Sequence, residues 1–482
     1  MTIAKDRNKI ILEIKEKTNN ASDISYKDYP INDEVITFLY SNSVSSQSDI
    51  NDFILRRLDE EGNKLKNKNI YSYIKNYIPN NSLNEITNMR DVFYFLFNGF
   101  TLVIFDDTKK ILAFENKANL TSSIVRSENE KSLKGPTDSF TENYQKNIGM
   151  IRRRIKTEDL WFDEMIIGKK SKTKVAIFYI NGICNEEFKK QVYKKIKNID
   201  IEYVGNSNYI IDAVSNPNRA IFPINFTTER PDLASLMLIQ GRIVIMTENS
   251  NEVTILPCTF MDFLKTPDDY YEKSLNVFFS RLIRIIAILL ALLTPAIYIS
   301  LMAYNVEAIP NGLLINFSIQ RDGVPFTTVF EILVMGLMFQ ILRESDLRFP
   351  GKGGSSISIV GALVLGQAAV EAGIVSPITI IIVGISSVAS LAFSSIELIN
   401  SIRVWQLILI ALASLFGFIG VMFGCIIMIA LLASQTSCKK PYLSPIEPFN
   451  KKRQKDTLFM SKKSKFFPPN IFSKEDKDEK DN

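Results

Sequence analysis

The 482-residue chain contains no histidine. That removes the usual near-neutral general base, the commonest zinc ligand and every Ser-His or Cys-His nucleophile arrangement. Cysteine is scarce too. Cys184, Cys258, Cys425 and Cys438 stand singly, with no CxxC spacing, so reduced structural thiols are expected rather than a disulfide framework or a zinc site. Residues 1–16 are charged and helical in pattern (Ile3, Ile10, Ile11, Ile14) and lack the apolar core and small-residue cleavage site of a secretory signal. No interleaved aromatic-basic motif points to nucleic acid, and the net charge of +5 is modest. No metal, cofactor or enzymatic activity is expected.

A charged fraction of 23% beside a mean hydropathy of +0.05 points to two solvents. Residues 1–280 are rich in Lys, Asn, Asp and Glu, whereas nearly all long apolar runs lie between 282 and 434. The expected fold class is an α/β cytosolic region of two similar lobes followed by an all-α polytopic membrane domain. The lobes are read from an internal repeat. Segments 35–58 and 175–196 both read as strand, turn and amphipathic helix, and FNGFTLVIFDDTKKILAF around Gly99 matches IQGRIVIMTENSNEVTIL around Gly241. The expected divisions are an N-terminal helical segment (1–30), a first lobe (31–134), a connecting helix region (135–170), a second lobe (171–278), a transmembrane domain (279–434) and a basic cytosolic tail (435–482).

In the connecting region, Thr141 is a candidate cap for a helix ending in Arg152, Arg153 and Arg154. Three consecutive arginines cannot share one helix face. They are either a solvated helix end with dipole-favourable charge or, with Glu142, Glu229 and Arg230, a subunit-contact site. Pro231 restricts Arg230 and reads as a helix breaker.

Membrane spans are expected at about 282–304, 324–342, 376–393 and 404–433, with Arg281 and Arg284 on the cytosolic side of the first and Pro295 inside it. Residues 356–373 are apolar but short and glycine-rich. Five crossings would send the tail outward with its twelve Lys or Arg against seven acids, against the orientation bias. Four crossings with 356–373 re-entrant avoid this, as do six with 404–433 split near Gly417 to Gly424. Glu331 in the second span, with Gln367 and Glu371 in the short segment, are candidate elements of an ion path, because ionisable groups at bilayer depth are costly unless paired, protonated or wet. A neutral Glu hydrogen-bonded between helices is the competing reading. GKGGSS at 351–356 lacks phosphate-loop spacing and reads as a cytosolic turn. The tail's KKRQK and KKSK runs read as solvated or facing lipid headgroups.

Seven motifs in order carry a resemblance: GPTDSFTENYQKNIGMIRRRIK (135–156), SKTKVAIFYINGI (171–183), TERPD (228–232), DYYE (269–272), RDGVPF (321–326), GALVLGQAAVEAGIVSP (361–377) and PYLSPIEP (441–448). With them the chain resembles the A subunit of the GerA-type nutrient germinant receptors of endospore-forming bacteria. The resemblance implies a multi-pass protein of the spore inner membrane, with N- and C-terminal regions cytosolic, acting with a permease-like B subunit and a lipoprotein C subunit. It further implies a homo-oligomer in contact with membrane lipid that forms a nutrient-gated path for monovalent cations. A nutrient transporter subunit and a structural scaffold for the B and C subunits are the alternatives. The chain has Gly336 and Gln340 where the family usually carries acids in the second span, although Glu331, Arg343 and Glu344 remain.

Overall fold

The pattern of short apolar strands separated by polar turns produces two antiparallel sheets in the N-terminal half. The computed structural model describes residues 3–31, 34–56, 58, 70–77, 83–119, 127, 130–215, 221–348, 354–438, 440–447, 449, 456–458 and 460. It divides the chain into two units, one of Met1–Pro217 with Asn225–Cys258, the other of Asn218–Ile224 with Thr259–Phe466. The tail's two basic runs and residues 351–353 of the GKGGSS segment lie outside the described residues.

In the first unit, β1 (Ile24–Ile31), β2 (Glu34–Ser41), β3 (Leu83–Ile86), β4 (Phe100–Ile104) and β5 (Ile111–Glu115) form a sheet in the order β1-β2-β4-β5-β3. Strands β6 (Leu160–Ile167), β7 (Thr173–Ile180), β8 (Phe226–Thr228), β9 (Ile243–Thr247) and β10 (Val253–Leu256) form a second, β6-β7-β9-β10-β8, so the two orders correspond strand for strand. The central strands β4 and β9 are buried along their whole length, while edge strand β1 keeps exposed positions. Around the sheets run α1 (Arg7–Lys17), α2 (Ile70–Tyr77), α3 (Met89–Phe97), α4 (Tyr144–Arg154), α5 (Glu186–Lys197), α6 (Ser207–Ser215) and α7 (Pro231–Ile239). Ile70 and Ile74, one helical turn apart on α2, join Phe38, Val103, Leu112 and Phe114 in the first core. Gly99 and Gly241, with φ of +82° and +85°, occupy the turns before β4 and β9, and a Cβ at Gly99 would stand 2.6 Å from the Val44 carbonyl oxygen.

Two local readings change. Asn143, not Thr141, caps α4 by accepting from the Lys146 amide, while Thr141 is bonded to Asn147. Pro231 opens α7 instead of breaking a helix, because proline's missing N–H costs nothing in a first turn.

The second unit is helical: α8 (Ser274–Ala303), α9 (Asn311–Arg321), α10 (Thr328–Arg348), α11 (Gly354–Glu371), α12 (Pro377–Ser390) and α13 (Ile396–Ser434). Among the described residues, α8 and α13 are long and apolar enough to cross a membrane. Pro295, inside α8, has no N–H to offer the Ala291 carbonyl one turn earlier; the Ser386 hydroxyl of α12 donates to that carbonyl at 2.8 Å, and Gln406 of α13 donates to Ser386 at 2.8 Å. The helix-breaking residue thereby becomes a three-helix junction.

Helix α13 is not straight. Gly417 has φ 60° and ψ −141°, outside helical space. In a continuous helix Leu409 and Gly424 would lie about 22 Å apart, yet a Cβ at Gly424 would stand 2.5 Å from Leu409 Cδ2, and one at Gly420 would strike the Leu412 carbonyl. The chain doubles back at Gly417 into two antiparallel halves joined by glycine-mediated close approach. Tyr304, at the end of α8, covers the tip and donates its hydroxyl to the Ser414 carbonyl at 2.6 Å. Gly417→Ala is expected to destabilise this unit by about 1–3 kcal/mol from backbone strain alone, with further loss because the new Cβ meets the Tyr304 ring at 2.8 Å. Thermal unfolding of the full chain in detergent, followed through Trp405 in a Trp161→Phe background, checks this; an unchanged midpoint speaks against the fold-back.

Candidate functional site

Glu331 belongs to the first turn of α10 rather than the middle of a span, because the helix starts only at Thr328, after Gly323 and Pro325. Its carboxylate is fully buried. Oε2 accepts from the Ser376 backbone N–H, the Ser376 hydroxyl and the Thr379 hydroxyl, each at 2.8 Å. Ser376 is the N-cap of α12 and Pro377 its first residue, so a side chain from α10 satisfies the donors at the start of another helix, where the helix dipole favours negative charge. Arg321, the last residue of α9, places Nη2 3.6 Å from Glu331 Oε1. Three helices thus meet at one carboxylate. At the other end of α10, Arg343 donates to Ser390, the last residue of α12, at 3.3 Å. Helices α10 and α12 are therefore parallel, and α11 returns between them.

Gln367 and Glu371 lie one turn apart on α11, bonded to each other (Gln367 Nε2 to Glu371 Oε1, 3.0 Å) and exposed. The structure does not place them in contact with Glu331. They are linked to it through the chain, since α11 ends at Glu371 and the short turn leads to Ser376. A buried carboxylate held by three fixed donors is a fastening, whereas an exposed amide-carboxylate pair is free to meet water, ions or another chain.

The start of α8 carries a network the sequence reading missed. Arg281 donates to Asp269 (3.0 Å), to Asp456 (2.9 Å) and to the Thr457 carbonyl. Arg284 grips both oxygens of Asp269 at 2.9 Å, and Lys265 reaches Asp262 and Asp456 at 3.3 and 3.1 Å. Burial pushes the Asp269 carboxyl up, but the Arg284 and Arg281 guanidiniums outweigh it and hold it below the usual carboxylate range. Its contribution to stability is therefore present above about pH 4 and is lost only as the pH falls further, through the lowered folded-state value. The signal was present as two T-x-x-D spacings, Thr259 to Asp262 and Thr266 to Asp269, each forming a capping box.

In the first unit the three arginines separate as one helix face cannot hold them. Arg152 is fully buried: Nε and Nη2 meet Asp23 at 3.2 and 3.3 Å, Nη1 meets the Leu160 carbonyl at 2.8 Å, and the guanidinium lies over the Phe97 and Phe162 rings at 4.4 and 5.7 Å. It therefore bridges elements of the two sheets. Arg154 donates from Nη2 to both Asp138 oxygens (2.7 and 2.5 Å), with Arg153 3.6 Å away and 40% exposed. Arg230 is buried on Asp232 and the Glu130 and Pro136 carbonyls. Glu229 is buried and accepts from Ser127, and burial pushes the neighbouring Glu130 up to about 7. Of the six residues considered for subunit contact, Glu142 and Arg153 are the most accessible. Among the described residues no group of three or more Cys, Asp or Glu could hold a metal ion.

An α/β region of two antiparallel sheets ahead of a unit with long apolar helices defines a two-part protein. The model of the Bacillus/Clostridium GerA spore germination protein family matches residues 12–467. The chain belongs to that family, which is one of germinant receptor subunits and not a known family of enzymes. It is 33% identical over 454 residues to Spore germination protein KA of Bacillus subtilis (strain 168), covering 94% of this chain and 84% of that one. It is 31% identical to Spore germination protein GerQA of Bacillus cereus, covering 92% and 84%. Another B. subtilis relative, 33% identical over 91% of this chain and 86% of its own length, is an uncharacterized membrane protein, YfkQ. The crystal structure of the N-terminal domain of the A subunit of the Bacillus megaterium spore germinant receptor GerK3 is similar at 29% identity and a TM-score of 0.43, covering 54% of this chain and 98% of that one.

Proposed function

We propose that this protein is the A subunit of a nutrient germinant receptor in the spore inner membrane, and that several copies enclose a gated path for monovalent cations. It acts beside a permease-like B subunit and a lipoprotein C subunit. The helical unit crosses the bilayer six times: α8, α10, α11, α12 and the two halves of α13 alternate in direction. Three observations support this number: the reversal at Gly417, the parallel pair α10 and α12, and the charge distribution it yields. Arg281, Arg284, Arg343 and Arg403 then share the cytosolic side with both termini, and Arg321 alone of these arginines lies outside, neutralised by Glu331.

The observation that carries the ion path is the exposed Gln367–Glu371 pair on a helix with no other charged or amide side chain. In a lipid-facing position that pair is costly; facing the same pair on neighbouring copies across water, it is hydrated and attracts cations. Glu331 sits behind this wall as the latch that fixes the α11–α12 turn. Glu142 and Arg153 are left to contact neighbouring subunits, while Arg152, Arg154, Glu229 and Arg230 hold the subunit's own shape. Spores carrying Glu371→Gln at normal protein level are expected to release monovalent cations at least several-fold more slowly on nutrient addition, because the ring of charge is lost. Unchanged release kinetics remove Glu371 from the path.

A further inference from the structure

The helical unit contains a cavity of about 660 Å³, within the roughly 300–1,000 Å³ typical of ligand sites. Its walls are mainly apolar, contributed by α8, α10, α12 and α13, with α11 adding Ala362. Two arginines from different helices line it, Arg343 of α10 and Arg403 of α13. Arg343 donates one hydrogen bond to Ser390 at 3.3 Å, and Arg403 one to Asn400 at 3.2 Å. A guanidinium offers five donors, and among the described residues neither arginine has a carboxylate within the 4.0 Å of an ion pair. Asp346 also contributes to the lining but is exposed. The exposed Glu344 acts on Arg403 from beyond ion-pair distance, so the two partly buried cations are only partly compensated and an added anion between them is favourable.

The rim identifies the anion's carrier. Leu337, Val388, Leu391 and Leu407 line the cavity and are 51–68% exposed, so its outer edge is apolar. A mouth meant for a soluble anion would be polar. Gly336 faces the space, with nothing within 4 Å of where a Cβ would stand. Both arginines lie at the end of the helices where α10 and α12 finish, the cytosolic side in the six-crossing arrangement, and basic pockets between membrane helices on that side suit acidic lipid headgroups.

We propose that this cavity binds the phosphate of an acidic phospholipid from the cytosolic leaflet, clamped between Arg343 and Arg403, with the lipid's apolar part leaving past Leu337 and Leu391. The proposal rests on the membrane reading above. The test is native mass spectrometry of the full chain in uncharged detergent, titrated with phosphatidylglycerol or phosphatidylcholine. Both lipids offer a phosphate, but the two guanidiniums repel the choline cation, so phosphatidylglycerol is expected to be retained at least about tenfold more tightly. Arg343→Gln with Arg403→Gln should abolish the preference, and Arg90→Gln, at an exposed arginine of the first unit, should leave it intact. Gly336→Leu keeps both arginines, fills the open space and should also weaken phosphatidylglycerol binding, so the outcome does not depend on how the arginine variants fold. Equal retention of both lipids by the unmodified chain overturns the proposal, as does displacement by excess inorganic phosphate, which would assign the site to a soluble anion. A chain that stays soluble without detergent and retains neither lipid overturns the membrane reading itself.

Discussion

Arg152→Gln is expected to lower the unfolding midpoint of the α/β unit by roughly 6–20 °C. Both Arg152 and its partner Asp23 have 0% side-chain exposure. Removing one member of such a pair leaves the other charge buried and uncompensated, at about 3–5 kcal/mol, and each kcal/mol moves the midpoint of a domain this size by about 2–4 °C. The Ser41 and Ser43 hydroxyls still donate to Asp23, at 3.2 and 3.1 Å, but bring no charge. Stacking on Phe97 and Phe162 is lost in the same step. Trp161, next to Phe162 on β6 and bonded through Nε1 to the Lys17 carbonyl, reports the transition in a Trp405→Phe background. A shift below about 3 °C, roughly 1 kcal/mol, contradicts a bridging role. Adding Asp23→Asn should recover part of the loss, because it neutralises the stranded carboxylate.

Glu331→Gln carries the second large effect. The amide keeps one acceptor oxygen, but its NH2 group confronts the donors of Arg321 and loses the carboxylate's charge at the start of α12. Hydrogen bonds to a charged acceptor are worth about 1.5–3 kcal/mol each, so the net loss is about 3 kcal/mol. Trp405 unfolding in detergent measures it. In spores the loosened α11–α12 turn is expected to leak monovalent cations before any nutrient is added. A variant with unchanged unfolding and no leak removes Glu331 as a latch.

What the sequence made legible follows from what is local. The division into an α/β region and an apolar helical region is visible because solvent choice is written in composition over long windows. Gly99 and Gly241 are visible because a glycine between an apolar helix and an apolar strand marks a positive-φ turn. Arg152 was not legible, since Asp23 lies 129 residues earlier and only tertiary packing brings them together. The reversal at Gly417 was legible only as the alternative split of 404–433 near Gly417 to Gly424, because that run has no charged break and the turn depends on one residue's backbone freedom and on Tyr304, which comes from another helix. Glu331 was read as mid-span because Val324 to Thr327 is nearly apolar, but Pro325 delays the helix to Thr328.

The most direct measurement is cation flux through liposomes containing the purified chain with its B and C partners. Nutrient-dependent flux of monovalent cations, reduced by Glu371→Gln and accompanied by no uptake of labelled nutrient, is the expected result. Nutrient accumulation without ion current, or a fully assembled receptor that stays impermeable with saturating nutrient, contradicts the proposed path.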